Sequence, residues 1–144
     1  MAKEKISPED MEHAKKRLGA TEEQVRNLTD TQWRILKSAP LRHQYRMVAE
    51  VIQVTDCCTA EHKVGQKYVF APGGFLLPEQ CTVTNLCLWA MPPMLNFIYM
   101  VYDRLAEGLD PTPRGYDRAQ CYDVGLGCGG YGRVVFKIYC EKLP

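Results

Sequence analysis

The most apolar stretch of the chain, Leu86 to Leu105, carries two adjacent prolines, Pro92 and Pro93, and this pair constrains the fold more than any other feature. Proline has no N–H to donate and a fixed φ, so a helix tolerates it only in its first turn. One unbroken helix through the stretch is therefore excluded. A short turn carrying Cys87, then a helix from Pro93 to near Gly108, fits the residues. Leu95, Ile98, Tyr102 and Leu105 mark a stripe along it at helical spacing, with Met91, Met94 and Val101 beside it. Trp89, Phe97, Tyr99 and Met100 carry apolar character around most of its circumference, and core packing explains them more simply than a ligand pocket does. A helix apolar on nearly every side is deeply buried or shared with another chain, which predicts a homo-oligomer or a partner subunit.

Around this helix the chain alternates between two kinds of local signal. Residues 1–43 form a helical extension: Ser7-Pro8-Glu9-Asp10, Thr21-Glu22-Glu23-Gln24 and Thr29-Asp30-Thr31-Gln32 each place a capping hydroxyl before a short apolar series. Gly19 and Pro40 serve as stops. This segment is polar enough that it is expected to pack on the rest or on a partner. Residues 44–144 read as strand from Gln44 to Thr55, loop, strand from Lys67 to Ala71, helix, a loop at Asp110–Gly115, and a last strand from Arg133 to Glu141. One more strand near Tyr122–Leu126 is possible. The expected class is α+β: a helical N-terminal extension followed by a small β-β-α-β(-β) domain.

Composition narrows the function. Eighteen Lys and Arg against seventeen Asp and Glu leave a formal charge of +1, without the basic excess of a nucleic-acid or membrane-surface binder. No uncharged run reaches the ~20 residues of a membrane span. Met1 to Ile6 has no apolar core of a secretory leader, so a cytoplasmic setting with reduced thiols is expected. Against that background seven cysteines stand out. Cys57-Cys58-Thr59-Ala60-Glu61-His62 puts thiol and imidazole four residues apart on a loop; Cys81 and Cys87 flank the approach to the helix; Cys121 and Cys128 flank a glycine-rich run. Cys140 lies in the alternating final strand and reads as core, as free cysteines often do. No Cys-x-x-Cys pair is present, so no common zinc or ferredoxin motif is matched. The glycines from Gly125 to Gly132 lead into a strand rather than a helix, so they are read as a tight turn donating N–H groups to Cys128, not as a phosphate cradle.

From about Tyr45 to Lys142 the chain resembles a family of small prokaryotic proteins of unknown function. The shared pattern is strand, Cys-x-x-x-His-Lys-x-Gly, strand, a helix opened by Leu-Cys, and a Cys before Val-Phe-x-Ile. Here it reads Cys58 to His62 with Lys63 and Gly65, Leu86-Cys87, and Cys128 ahead of Val135-Phe136-Lys137-Ile138. The helical extension and the extra Cys81 and Cys121 mark a longer, more cysteine-rich branch. The resemblance implies positions, Cys58, Cys87 and Cys128 with His62 beside the first, and no reaction.

Three functional expectations follow. The first is an iron–sulfur cluster or zinc held by Cys58, Cys87 and Cys128, with His62, Cys81 or Cys121 completing the set, in redox or catabolic metabolism; an open iron position would permit Lewis-acid chemistry on a small substrate. The second is a metal-free thiol enzyme, with Cys58 as nucleophile, His62 as its base and Asp56 or Glu61 orienting the ring. The third is a non-catalytic accessory subunit whose N-terminal helices dock a larger enzyme.

Overall fold

Hydroxyl caps start the N-terminal helices as the capping pattern predicts. A computed structural model describes residues 6–112 and 115–144. In it, Ser7 Oγ accepts the Asp10 N–H at 3.0 Å to open α1 (Pro8–Leu18), and Gly19, at φ 62°, closes it. Thr21 and Thr29 form reciprocal capping boxes with Gln24 and Gln32, opening α2 (Glu22–Arg26) and α3 (Asp30–Lys37). Pro40 does not end a helix. It sits in the first turn of a further short helix, α4 (Ala39–Arg42), where its missing N–H costs nothing.

The chain divides into two compact units, one ending at Ala39 and one from Pro40 to Pro144. The first, despite its polarity, holds a small apolar cluster of its own: Met11, Ala14, Val25 and Leu36 are buried together, with Leu28 and Trp33 against them. The second unit is an antiparallel sheet carrying one long helix. The fold class is α+β, with the helical segment preceding the sheet.

The sheet runs β3 (Phe75–Leu76), β2 (Lys67–Ala71), β1 (Tyr45–Asp56), β5 (Gly132–Lys142), β4 (Arg118–Gln120), all neighbours antiparallel. The additional strand forms at 118–120 rather than at Tyr122–Leu126. There the backbone instead turns around Asp123, and Gly125 takes φ 79°, a conformation incompatible with a strand. The helix α5 spans Met91–Ala106, so both prolines lie in its first turn. It buries Met94, Ile98, Val101 and Leu105, while Leu95 is turned outward. Asp110 Oδ1 accepts the Thr112 N–H at 2.9 Å at the start of the following loop, whose Pro113 and Arg114 lie outside the described residues.

One sheet face makes the core. Met47, Ala49 and Val51 of β1, Tyr68 and Phe70 of β2, Val134, Phe136 and Ile138 of β5 and Ala119 of β4 bury against the α5 stripe. In the β1–β5 ladder Val51 pairs with Phe136 and Gln53 with Val135, leaving Ile52 as an extra residue, a β-bulge. Before it odd-numbered residues face the core; after it Val54 does, opposite Val134. Were the strand to run through Ile52 with regular alternation and no bulge, Gln53 would face the core, since a one-residue slip exchanges the two faces. β1 then delivers the chain, through the left-handed Asp56, to Cys57 and Cys58 at the end of the sheet. Among the described residues no helix is long and apolar enough to cross a membrane.

Candidate functional site

The loop between β1 and β2 folds back on itself. Glu61 N–H donates to the Cys58 carbonyl at 2.9 Å, closing a turn, and Glu61 takes φ 57° so that His62 points inward. The geometry places Cys58 Sγ 3.2 Å from His62 Nδ1. His62 is 5% exposed, with its ring edge-on to Phe136 at 5.9 Å between centroids. Its second nitrogen, Nε2, lies 2.6 Å from Tyr68 Oη. The ring is thus held from both sides.

Sequence reasoning assigned the orienting role to Asp56 or Glu61. Neither takes it. Asp56 Oδ2 accepts the Leu126 N–H at 3.1 Å, and Glu61 is exposed. Tyr68 does the work instead, and one signal could have revealed it. Tyr68 and Phe70 occupy the inward positions of β2, and a buried tyrosine hydroxyl needs a partner, which the loop just before it supplies.

One arrangement of hydrogens satisfies every polar group around Tyr68 Oη. Tyr68 Oη has one hydrogen and three polar neighbours: the Asn85 carbonyl at 3.2 Å, which only accepts; the Cys87 N–H at 3.2 Å, which only donates; and His62 Nε2. All are satisfied when Tyr68 donates to Asn85 and receives from both Cys87 and His62 Nε2–H. Nδ1 then carries the lone pair and faces the Cys58 thiol. Burial lowers the His62 pKa, favouring the neutral ring. Burial is also the main reason the Tyr68 hydroxyl is pushed up to about 12, so it stays protonated. A thiol, a neutral base and an orienting group therefore stand in series.

Cys57, Cys58, His62, Cys87 and Cys121 line one open cavity of ≈ 30 Å³, together with Thr59, Ala60, Trp89 and Asp123. That is room for two or three water-sized groups, at about 10–15 Å³ each. Trp89 stands at the cavity, 67% exposed, and its carbonyl receives the Tyr122 N–H at 3.0 Å. Cys121 is fixed in the wall: its Sγ accepts the Val134 N–H at 3.2 Å and its own N–H donates to the Val134 carbonyl at 3.0 Å.

The other cysteines lie elsewhere. Cys81 Sγ receives the Val69 N–H and donates to the Leu77 carbonyl, each at 3.3 Å, and does not line the cavity. Cys128, which the resemblance groups with Cys58 and Cys87, is exposed on a 3-10 turn (Leu126–Cys128) and is also outside the lining. Cys121 occupies the wall instead. Among the described residues no group of three or more His, Cys, Asp or Glu side chains is gathered closely enough to hold a metal ion.

The glycine-rich run does supply N–H groups, but to a carboxylate. Asp123 Oδ1 accepts from Gly125 and Tyr131, both at 3.0 Å, and these bonds, led by that from Gly125, lower its pKa. A Cβ on Gly130 would come within 2.1 Å of Asp123 Oδ1, and one on Gly132 within 2.1 Å of the Cys57 carbonyl oxygen. Gly132 therefore lets β5 approach the backbone of the thiol loop closely. No protein-family model matches the chain, and no match was found among curated proteins or solved structures.

Proposed function

We propose that the protein is a thiol-dependent enzyme in which Cys58 is the nucleophile, His62 its general base and Tyr68 the positioning residue. The reading is carried by the Cys58 Sγ–His62 Nδ1 contact of 3.2 Å within a series that ends on the Tyr68 hydroxyl. In the resting state Cys58 S–H donates to Nδ1. When an electrophile enters the cavity, the proton passes to Nδ1 as the sulfur forms its new bond, and the imidazolium later returns the proton to the leaving group. General-base assistance of this kind contributes about 10²–10⁴ in rate. The cavity of ≈ 30 Å³ favours a small electrophilic centre.

The test is a limited reaction with iodoacetamide near neutral pH, followed by peptide mapping of every thiol. Because Cys57 and Cys58 are adjacent, it is run on Cys57→Ser as well as on the unaltered chain. Cys58 is expected to label first, ahead of the exposed Cys128. A Cys58 that labels no faster than Cys128 overturns the proposal.

A metal-bound reading draws on one specific observation, that Cys58, His62, Cys87 and Cys121 share a cavity. Thiolate and imidazole together suit zinc, and thiolates suit an iron–sulfur cluster. Tetrahedral zinc between Cys58 and His62 would spread Sγ and Nδ1 to about 3.5 Å. Metal occupancy and the observed hydrogen bond are therefore alternatives. Stoichiometric zinc or iron in protein purified without oxygen, shielding Cys58, Cys87 and Cys121 from alkylation, would replace the thiol reading.

A further inference from the structure

The thiols around the cavity are not equivalent, and their differences define a chemistry. We propose that Cys87 is a second redox-active thiol, which closes a disulfide onto Cys58 after a hydroperoxide has oxidised Cys58. The inference rests on Cys58 being the activated nucleophile.

Four cysteines line the cavity: Cys57, Cys58, Cys87 and Cys121. Cys57 is excluded as the partner by geometry. Neighbouring Cα atoms are about 3.8 Å apart across a trans peptide, whereas a disulfide spans about 4.4–6.8 Å. Cys121 is buried, and both its Sγ and its N–H are engaged with Val134 on β5, so joining Cys58 would break a two-way bridge. Cys87 differs on each count. It is half-buried in irregular chain ahead of α5, between the outward-facing Leu86 and Leu88. Its sulfur has no hydrogen-bond partner among the described residues, while its N–H is anchored on Tyr68 Oη. The hydroxyl that orients the base thus also fixes the backbone of the second thiol. Elsewhere, Cys81 is occupied by Val69 and Leu77, and Cys140 by the Pro111 carbonyl at 3.6 Å.

The size of the site points to the oxidant. A cavity of ≈ 30 Å³ admits the O–O end of a hydroperoxide with its substituent left outside, against the exposed Trp89. Cys58 Sγ gives its proton to His62 Nδ1 and attacks the terminal oxygen. The S–O bond forms, the O–O bond breaks, and the departing alkoxide takes the proton from Nδ1 to leave as an alcohol, or as water when the oxidant is hydrogen peroxide. Cys58 is then a sulfenic acid. The Cys87 thiolate attacks Cys58 Sγ, the S–S bond forms, and hydroxide leaves with the Cys87 proton as water. The sum is two thiols and one hydroperoxide giving one disulfide, one alcohol and one water. An external dithiol returns both cysteines to the reduced state by exchange.

The experiment treats the reduced full chain with one equivalent of hydrogen peroxide, then with tert-butyl hydroperoxide in a parallel sample, and maps the products without reduction. A Cys58–Cys87 peptide is expected. In Cys87→Ser the disulfide should vanish and dimedone-trapped Cys58 sulfenic acid should rise roughly tenfold over the unaltered chain. Cys128→Ser is the control and should leave the linkage in place. A disulfide to Cys121, or Cys58 overoxidised while Cys87 stays free in the unaltered chain, overturns the inference and leaves the nucleophile standing. So does a Cys58 that alkylates fast with iodoacetamide yet ignores both peroxides. A Cys58 that reacts fast with neither reagent removes the proposed function as well. Should Cys87→Ser fail to fold, the map of the unaltered chain decides alone.

Discussion

Replacing Tyr68 by Phe removes one oxygen and tests the site at its hinge. Three hydrogen bonds go with it: from His62 Nε2–H at 2.6 Å, from the Cys87 N–H at 3.2 Å and to the Asn85 carbonyl at 3.2 Å. The ring remains, so the packing of Phe136 and Phe70 against it is kept. Asn85 is exposed and can turn to water, whereas His62, 5% exposed, cannot. An orphaned buried donor costs about 1–3 kcal/mol, and the half-buried Cys87 N–H adds about 1. The expected loss is therefore about 2–4 kcal/mol, read as a shift of urea midpoint at constant slope. The second consequence is chemical. With no acceptor at Nε2, the ring gains by moving its proton to Nδ1, where it faces Cys58 and can no longer take the thiol proton. Iodoacetamide labelling of Cys58 should slow by about 10–100-fold. Nitrogen-15 shifts of the imidazole give a direct check, with the proton on Nε2 in the parent chain and on Nδ1 in Tyr68→Phe. A variant within about 0.5 kcal/mol of the parent, with unchanged labelling and tautomer, refutes the reasoning.

Other outcomes follow from the same geometry. Because burial lowers the His62 pKa, the unfolded chain binds the proton more readily than the folded one; stability should be level above about 6.5 and fall as pH drops from there toward the folded pKa, as chemical denaturation across pH 5 to 8 would show. His62→Gln should flatten that slope. Gly132→Ala puts a Cβ 2.1 Å from the Cys57 carbonyl oxygen, so thermal unfolding should reveal a loss of about 1–3 kcal/mol or more, with slower Cys58 labelling as the loop is displaced. The Cys140 thiol, pushed up to about 12 chiefly by burial, should resist alkylation at pH 9 until the chain is unfolded.

The elements were more legible than the site, for a physical reason. Caps and breakers act over three or four residues, so Ser7, Thr21, Thr29 and Gly19 could be read directly, and β2 surrounds its aromatic and β-branched centre, Tyr68-Val69-Phe70, and ends before Pro72. Pro40 was ambiguous because proline suits both the end of one helix and the first turn of the next. The bulge at Ile52 left no local sign, since isoleucine suits an ordinary strand position equally well. In the site, Cys58 and His62 were visible because one turn joins them. Tyr68 was hidden behind a strand pattern that explained it fully as core. Cys121 and Cys128 differ only in what lies across from them: Val134 on β5 captures the first, and nothing in their spacing records that. The destination of the glycine-loop N–H groups was equally unreadable, because Asp123 and Cys128 are both candidate acceptors until the turn is formed.

The extra residue in β1 gives the molecule an adjustable bend. Elsewhere in that strand, dropping a single residue would turn every following side chain over. Ile52 is different: remove it, and Val51 and Gln53 meet Phe136 and Val135 as ordinary neighbours, with Val54 still inward. What such a deletion would change is aim. The bend and added twist of the bulge would be lost, re-aiming the turn that bears Cys58 and His62 while Tyr68, on β2, stayed where it is. The separation between imidazole and hydroxyl, and with it the strength of the base, could thus be tuned without exchanging any side chain of the site.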